Sequence, residues 1–552
     1  MPFRSSRRAL DLFRPWRPNG GPASERRWSR RALARLGVSW ESAPVRRLVQ
    51  TLALLGFCDL FFRVSWPYAD RFSERLLVNK EWAPVELFLW LDPLVGLSIA
   101  VAARWWNVAL VGMAAILLVG LVFPRGFCGY LCPLGTLIDL FDSIAGRRLR
   151  RFHLQEVGGW SNLRFYLLAA VLVAAVGGVL LSGFIAAIPV VTRGLLFTLG
   201  QAQLGLLKNW GMVPPMTPAV WVSLVLFALV FLLCFLGPRF WCRYVCPSGA
   251  LLSLPALARR FKREVDQRCI ACGKCLEVCP FDAIEPGYGT RILNCTFCQT
   301  CGGVCPSDAI HFVELNSRAL GVKADALLAR PINRRAMIGA VASGVAALSL
   351  RSPNLPAGGN RPIRPPGSVT EDRFLDLCIR CEQCIKVCPG PVLQAAGLDH
   401  GFEGLWTPAA VFTHAGCHQD CNFCTQVCPT GAIRPLTPQE KRRFVMGVAR
   451  VDTSTCLPHR GERDCQLCSD ECNAAGYHAI EMRPIKLATG EVPEGMFSPE
   501  EMEQMGRILA PFVKPEACVG CGLCEYRCHA ALVRQQGLLA RRAITVLPPV
   551  TP

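Results

Sequence analysis

The sequence lacks the motifs of several common redox cofactors. It has no C-x2-C-H motif for covalent haem, since Cys524 and Cys528-His529 stand one residue too far apart. None of its eight histidines lies in a long apolar stretch, which argues against a membrane haem held by two histidines. No glycine-rich nucleotide loop is evident, so direct oxidation of NAD by this chain is not expected.

Cysteine is the residue that the chain has in excess, with 30 among 552 residues. Twenty-four of them fall into six quartets that approximate C-x2-C-x2-C-x3-C, the spacing that binds [4Fe-4S] clusters. Cysteines only three residues apart have poor geometry for disulfides. Zinc is the simpler alternative, but zinc sites use two separated pairs rather than a triplet followed by a fourth cysteine. The quartets therefore predict iron-sulfur clusters, up to six of them.

The six quartets pair into three two-cluster modules. The first contains Cys269, Cys272, Cys275 and Cys279, then Cys295, Cys298, Cys301 and Cys305. The second contains Cys378, Cys381, Cys384 and Cys388, then Cys417, Cys421, Cys424 and Cys428. The third contains Cys456, Cys465, Cys468 and Cys472, then Cys518, Cys521, Cys524 and Cys528. The fourth cysteine of a quartet binds the partner cluster in such modules, so we predict that Cys279 exchanges with Cys305, Cys388 with Cys428 and Cys472 with Cys528.

Apolar residues are concentrated between Leu48 and Leu236. Four stretches there approach the roughly 20 apolar residues that cross a bilayer: 48–66, 106–123, 163–189 and 218–236. With four spans, the basic N-terminus and the basic runs at 147–151 and 259–263 share one side, as the positive-inside rule requires. Much of the net charge of +19 lies in the first 47 residues, where it marks the cytoplasmic side more simply than a nucleic-acid site. We therefore predict no nucleic-acid partner.

An internal repeat follows two of these stretches. Residues 124–135 and 238–249 share Pro, Arg, Cys, Tyr, Cys, Pro and Gly in register, which is seven identities in twelve positions. Each copy contains C-x3-C-P, with Cys128 and Cys132 in the first and Cys242 and Cys246 in the second. Cysteines four residues apart share one face of a helical turn, so the four thiols are predicted to converge on one redox or metal site or to form two pairs. Buried, inert cysteines are the alternative.

A second kind of apolar segment separates the first module from the other two. Asn333, Arg334 and Arg335 precede a weakly hydrophobic stretch that ends at Leu350 and leads into a linker rich in Pro and Gly. This pattern is typical of a twin-arginine export signal, here placed inside the chain, and it predicts the twin-arginine translocon as a partner. Since clusters are inserted in the cytoplasm, a route for folded domains would export residues 351–552 with their clusters. A cytoplasmic linker helix is the alternative.

These motifs resemble two known protein types. Residues 46–310, with both C-x3-C-P motifs and the first module, resemble the NapH/MauN type of membrane ferredoxin protein in the NosR/NapH family. Residues 332–552, with twin arginines and four quartets, resemble the NapG/MauM type of periplasmic ferredoxin. The resemblance implies a fusion that acts as a quinol dehydrogenase. It would take electrons from the membrane quinone pool and pass them to a periplasmic redox protein or reductase, for example a nitrate reductase system.

Quinol oxidation releases two protons and two electrons, so it needs an apolar pocket, a proton acceptor and a nearby one-electron centre. A fifth apolar stretch, 85–103, contains prolines and the carboxylates Glu86 and Asp92, which favours a re-entrant or surface-lying segment. Charged groups at membrane depth are usually functional. Glu86 and Asp92 are therefore our predicted quinol or proton site, and interfacial carboxylates paired with Arg63 or Arg104 are the alternative.

The predicted fold is an α-helical membrane domain of about four transmembrane helices with three small α+β modules like those of bacterial ferredoxins. Its predicted order is a basic cytoplasmic tail (1–46), a transmembrane domain with the duplicated motif (47–255), a cytoplasmic two-cluster domain (256–320), the twin-arginine segment with its linker (321–370) and a periplasmic four-cluster domain (371–552). We expect a multi-pass protein of the cytoplasmic membrane, with its N-terminus and first module inside.

Two other functions fit the same features. One is a maturation factor, in a NosR-like or MauM/MauN-like role, that supplies electrons or thiol chemistry while a periplasmic metalloenzyme is assembled. The other is a structural membrane anchor whose clusters no longer work.

Overall fold

The computed structural model describes residues 40, 42–64, 84–104, 108–146, 159–207, 210, 213–315, 327–328, 330–350, 361–486 and 507–549. The chain forms two compact units. The first comprises Met1–Phe61, Val85–Gly194 and Val222–Arg351, and the second comprises Phe62–Pro84, Leu195–Trp221 and Ser352–Pro552. Most of the predicted basic tail, the basic run 147–151 and the linker 351–360 lie outside the described residues.

Helices account for the regular structure up to residue 251. They are α1 (Pro44–Arg63), α2 (Leu87–Trp90), α3 (Pro93–Ala103), α4 (Val108–Val122), α5 (Pro133–Phe141), α6 (Leu163–Val176), α7 (Ser182–Ile185), α8 (Ala187–Leu195), α9 (Gln201–Leu207), α10 (Pro218–Leu232) and α11 (Pro247–Leu251). Helices α4 and α10 consist almost wholly of apolar residues on every face, which is typical of a buried or membrane-spanning helix. Helix α9 and the first residues of α10 belong to the second unit.

Among the described residues, one helix is both long and apolar enough to cross a membrane, over Pro218–Phe235. Four other apolar helical stretches are shorter: Pro93–Ala103, Leu110–Val122, Leu163–Val176 and Pro247–Ala258. The predicted stretch 163–189 is not a single helix, because α6 ends at Val176 and Gly178 adopts φ +87°. That left-handed conformation favours glycine and terminates a helix. The four-helix membrane domain therefore stays a prediction.

The first cysteine module is a strand, two single helical turns and a second strand. Strand β1 (Phe261–Val265) pairs antiparallel with β2 (Ile310–Glu314), so that Val265 stands opposite Ile310. Helices α12 (Lys274–Glu277) and α13 (Thr300–Gly303) each occupy one turn inside a quartet. The cysteines pack with a small apolar core made by Phe261, Val265, Ile284, Phe297, Ile310 and Phe312.

The twin-arginine segment is helical in the first unit. Helix α14 (Arg334–Ala346) begins at the arginines, and the Asn333 side chain caps it by accepting the N–H of Arg335 at 2.9 Å. It packs along α6, where the absence of a side chain at Gly344 allows close approach to Val173.

The second unit contains the other two modules. Its helices are α15 (Glu371–Leu377), α16 (Gln383–Val387), α17 (Gly401–Gly404), α18 (Phe423–Gln426), α19 (Pro438–Arg443), α20 (Leu467–Ala474) and α21 (Leu523–Cys528). Its strands form antiparallel pairs: β3 (Leu393–Ala395) with β4 (Pro408–Ala410), β5 (Val448–Val451) with β8 (Ile544–Leu547), and β6 (Ile480–Lys486) with β7 (Arg507–Val513). The N–H of Cys417 donates to the Cys521 carbonyl at 2.8 Å, which ties the two modules together.

Candidate metal centres

A shared backbone turn shapes four of the six quartets. In each, the second cysteine stands between two residues with φ between 51° and 75°. These pairs are Ala271 and Gly273, Phe297 and Gln299, Arg380 and Glu382, and Gly520 and Gly522. Five of the eight are not glycine, and an L-residue in this region costs about 1–2 kcal/mol, so tertiary contacts must hold the loops. The cysteine spacing alone does not reveal this feature.

Four cysteines of the first module surround one cavity of about 350 Å³, a volume that includes its opening. They are Cys279, Cys295, Cys298 and Cys301, the four that the predicted cross-sharing assigns to one cluster. The Cys279 sulfur also accepts the N–H of Ala283 at 3.3 Å. A buried thiolate needs such donors.

The third module forms two similar cavities, of about 370 and 350 Å³. The larger is lined by Cys456, Cys465, Cys468 and Cys528. The other is lined by Cys518, Cys521, Cys524 and Cys472. Both sets again combine three cysteines of one quartet with the fourth of its partner. The backbone N–H groups of Ala479 and Ala543 donate to Cys472 and Cys528, at 3.3 and 3.4 Å.

The second module brings its cysteines together in the same way. Cys417 and Cys388 are close enough to Cys421 and Cys424 for charge repulsion to help raise the pKa of both thiols. Cys428 has the same effect on Cys378, Cys381 and Cys384. The extra residue between Cys417 and Cys421 therefore does not separate Cys417 from its group.

The chemistry of these cavities fits an iron-sulfur cluster. Burial, followed by the charges of neighbouring thiols, raises the pKa of Cys279 and of Cys468 to about 12. Uncomplexed thiols would thus stay protonated at neutral pH, whereas bound iron deprotonates its thiol ligands. Within the described part of the chain, no three His, Cys, Asp or Glu side chains are close enough to hold one metal ion. A cubane spreads its thiolates over four iron atoms, so its ligands stand further apart than those of one ion.

Lys441 is a residue near these centres that sequence reasoning missed. Its side chain is 1% exposed, and Nζ donates to the His418 carbonyl at 2.5 Å. Its positive charge lowers the pKa of two thiols, Cys421 in the second module and Cys521 in the third, and so opposes the effect of burial. A buried lysine normally needs an anionic partner, and the cysteine thiolates of a bound cluster would supply one here.

Gly520 offers a test of how tightly one cavity is built. It has φ +69°, and a Cβ would stand 2.5 Å from the Gly447 nitrogen. Gly537 has φ +61° with no atom within 4 Å of a Cβ, so Gly537→Ala isolates the backbone cost of about 1 kcal/mol. Gly520→Ala adds a clash with backbone and is expected to destabilise the second unit by about 2 kcal/mol more. Thermal midpoints of the iron-loaded variants measure this, and equal midpoints would contradict it.

The two C-x3-C-P motifs fold alike. Each begins with an arginine whose backbone is in the left-handed region, Arg125 or Arg239. A π-helical turn follows, Phe127–Leu131 or Trp241–Val245. A cysteine then precedes α5 or α11, and a proline occupies the first helical position, where its missing N–H leaves no hydrogen bond unmade.

The arginines join the motifs reciprocally. Arg125 donates from Nη2 to the Cys242 carbonyl at 3.0 Å, and Arg239 donates from Nη1 to the Cys128 carbonyl at 2.8 Å. Both guanidinium groups lie over the ring of Phe281, 5.0 and 4.7 Å from its centroid. Cation–π contacts of this kind stabilise buried arginines.

The four thiols of the motifs lie in one group, which we call the paired thiol site: Cys128, Cys132, Cys242 and Cys246. Cys128 and Cys242 are close enough to Cys132 and Cys246 for charge repulsion to help raise the pKa of both thiols. Burial raises the pKa of Cys242 to about 11. No three of these thiols are close enough to hold a single metal ion, so the group is suited instead to a multi-iron cluster or to exchange between dithiol and disulfide.

The paired thiol site adjoins the first module. Tyr130, which lies between Cys128 and Cys132 in the sequence, donates its hydroxyl to the Phe297 carbonyl at 3.0 Å. Arg243 donates to the Asp282 carboxylate at 2.8 Å. Phe297 also lines the cavity of the first module, so the hydrogen bond from Tyr130 connects the first C-x3-C-P motif to that cavity.

Asp139 is the centre of a buried ion-pair network beside this site. Its carboxylate lies 2.6 Å from Arg239, 2.8 Å from Arg47 and 3.3 Å from Arg46. Burial alone would raise the pKa of Asp139, but Arg239 and then Arg46 and Arg47 hold it below its ordinary value.

The two carboxylates predicted for quinol chemistry are both buried. Asp92 accepts hydrogen bonds from the N–H of Leu94 at 3.1 Å and from the hydroxyl of Ser248 at 3.3 Å. Ser248 is two residues after Cys246 in the sequence. Glu86 is 7% exposed and directly precedes α2. The structure thus brings Asp92 next to the paired thiol site, and the role of both carboxylates stays a prediction.

Comparisons with known proteins identify an iron-sulfur domain around each of the two C-x3-C-P motifs. Residues 105–151, with the first C-x3-C-P motif, match the family model of a 4Fe-4S binding domain. Residues 238–288, with the second motif and the first quartet, match the LdpA Fe-S cluster-binding domain. The predictions of [4Fe-4S] chemistry and of ferredoxin-like modules are confirmed at this level. No solved structure gives a significant match.

Curated relatives match up to 40% of this chain and most of their own length. The methylamine utilization ferredoxin-type protein MauM of Methylobacillus flagellatus is 32% identical over 40% of this chain and 82% of its own length. The ferredoxin-type protein NapG of Escherichia coli is 33% identical over 38% of this chain and 80% of its own length. The ferredoxin-type protein NapF of the same organism is 29% identical over 32% of this chain and 87% of its own length. The chain therefore belongs to the MauM/NapG family of ferredoxin-type iron-sulfur proteins.

Proposed function

We propose that this chain is a membrane-bound electron-transfer protein of the quinol dehydrogenase type. It takes electrons from the quinone pool and delivers them to a periplasmic redox protein or reductase, such as a nitrate reductase system. A ferredoxin-type role follows from the family, and the quinol, the membrane and the periplasmic acceptor are the proposed part. The observation that carries the proposal is the way in which the chain divides into two units.

The second unit combines three segments that are distant in sequence: Phe62–Pro84, Leu195–Trp221 and Ser352–Pro552. In the predicted four-span topology, the first segment runs on from the last residues of span one. The second leads into the first residues of span four, and the third follows the twin-arginine segment. All three would therefore lie in the periplasm. The first unit collects the spans and the cytoplasmic module. A bilayer keeps the loops of its two faces apart, so this division supports the proposed topology.

The direction of α14 also supports export. Asn162, just before α6, donates to the Arg330 carbonyl just before α14, at 3.1 Å. At the other end, Leu348 packs against Gly177. The two helices therefore run parallel. Since α6 is proposed to run from inside to outside, α14 would do the same and would leave the four-quartet domain in the periplasm, by way of the twin-arginine translocon.

Quinol reduction of the clusters tests the proposal. The protein is purified anaerobically, loaded with iron and sulfide, and placed in lipid nanodiscs. A menaquinol or ubiquinol analogue is expected to bleach the visible absorbance of the clusters, with dithionite defining full reduction. Reduction by dithionite but by neither quinol would overturn the quinol proposal while leaving the family assignment intact.

A second candidate function rests on the paired thiol site, whose cysteines belong to no ferredoxin quartet. In a maturation role, these thiols would serve the assembly of a periplasmic metalloenzyme. A Cys128→Ser, Cys242→Ser variant separates the two functions. Loss of metal from the partner enzyme with quinol-driven electron supply unchanged would favour maturation.

A further inference from the structure

One pocket in the second unit belongs to none of the cysteine cavities. Its volume is about 830 Å³, including the part that opens to solvent. On one side it is lined by residues from 196–220, among them Leu196, Phe197, Leu204 and Val220. Pockets with mainly apolar walls and a few polar groups usually bind small organic molecules.

The opposite wall of this pocket belongs to the second module. Ile385 and Leu393 contribute apolar surface, and Cys388 lies between them in the sequence and also lines the pocket. Cys388 is grouped with Cys417, Cys421 and Cys424, so a predicted ligand of one cluster faces the pocket. A molecule bound here would touch the edge of a one-electron centre.

Two polar atoms in the wall have no hydrogen-bond partner among the described residues. They are Oε1 of Gln203 and Oγ1 of Thr217, and both are buried. The amide of Gln203 is held by its nitrogen, which donates to the Phe62 carbonyl at 3.4 Å. Leaving a buried polar atom unpaired is unfavourable, so these atoms point to a ligand with hydroxyl or carbonyl groups.

We infer that this pocket binds the quinol, with the ring between Gln203, Thr217 and Cys388. This inference rests on the proposed function and gives it a location. A quinol has two hydroxyl groups on an apolar ring and a hydrocarbon tail, which matches two unpaired polar atoms in an apolar wall. Val220 also lies at the start of Pro218–Phe235, the stretch that is long and apolar enough to span a membrane, so a lipid-borne tail would have an entry route.

The chemistry balances at this position. Oxidation of one quinol to quinone removes two electrons and two protons. The cluster that Cys388 would help to bind would accept these electrons one at a time, and it would pass the first to another cluster before it takes the second. The protons leave through the opening to solvent, on the side of the second unit.

Binding of the quinone analogue 2-heptyl-4-hydroxyquinoline N-oxide to the iron-loaded protein in nanodiscs tests the site. Val220→Trp fills the pocket and is expected to weaken binding about tenfold or more. Val225→Trp is the matched control, because Val225 is on the same helix and is 65% exposed. Gln203→Leu removes the acceptor and is expected to weaken binding about three- to tenfold. Iron content and dithionite reduction report whether each variant is loaded.

The outcomes separate this inference from the proposed function. If quinol does not reduce the wild-type clusters, the proposed function fails. A different result would exclude this pocket as the quinol site and leave the proposed function intact. In it, quinol reduces the wild-type clusters, and Gln203→Leu and Val220→Trp both bind the analogue and accept electrons as well as the wild type does. Weaker binding in Glu86→Gln or Asp92→Asn alone would also overturn this inference and move the site to the first unit. If Val220→Trp does not retain its iron, analogue binding by Gln203→Leu alone tests the pocket.

Discussion

Replacing Asp139 with asparagine is expected to destabilise the first unit by about 3–5 kcal/mol. The carboxylate lies within 3.3 Å of Arg46 and 2.6 Å of Arg239, whose side chains are 2% and 1% exposed. Asparagine keeps the shape but leaves these two arginines buried without a counter-charge. Since Arg239 also joins the two C-x3-C-P motifs, the paired thiol site should loosen with it. The measurement is the thermal midpoint of the loaded protein in nanodiscs.

Asp282→Asn is the matched control for this variant. Asp282 also bridges two arginines, Arg243 at 2.8 Å and Arg291 at 2.9 Å, but its side chain is 35% exposed. Water screens that network, so the expected loss is about 1 kcal/mol or less. Equal losses in the two variants would contradict the role that we assign to burial.

Acid provides a second control on Asp139. Because its folded pKa is depressed, the stability that it contributes is present above its unfolded pKa of about 4 and is lost as the pH falls below that value. The difference between wild type and Asp139→Asn should therefore shrink on acidification. A difference that stayed constant down to pH 3 would show that lost packing, not lost charge, destabilises the variant.

Pairs of cysteine substitutions in the third module are expected to reveal cross-sharing through iron content. Cys456→Ala with Cys528→Ala should cost about four irons per chain, no more than either change alone, because both residues line one cavity. Cys518→Ala with Cys528→Ala should cost about eight, because these two cysteines line different cavities. Iron and sulfide analysis of anaerobically purified protein measures both.

The two double variants control for each other, since each removes two thiols from the same module. A loss of about eight irons in the first pair and about four in the second would mean that each quartet binds its own cluster. The result therefore decides between exchange of fourth ligands and independent quartets, whatever the electron donor is.

The cysteine chemistry was predictable because cluster ligands are close in sequence. Three of the four cysteines of one cavity, Cys518, Cys521 and Cys524, lie within seven residues, and the fourth follows from the exchange rule. The long interval between Cys456 and Cys465 did not mislead, because turns at residues 453–461 bring the two cysteines back to the same cavity.

Other features escaped because they depend on contacts between distant residues. Asp139 and Arg239 are 100 residues apart, and nothing near either one marks them as partners. Glu382 and Gln299 have φ of 58° and 62° although neither is a residue that favours the left-handed region. Helix α6 ends at Val176, before Gly177 and Gly178, although the apolar stretch continues beyond these glycines and predicts a longer helix.

The sequence by itself determined the cofactor class, the family and the duplication of the C-x3-C-P motif, because ligand type and spacing are properties of the local chain. Only the tertiary structure decided that the four thiols of the repeat lie in one group beside Asp92, and that a pocket opens beside Cys388. The pocket brings together residues up to about 200 positions apart, such as Leu196 and Ala395, and packing rather than spacing sets such distances.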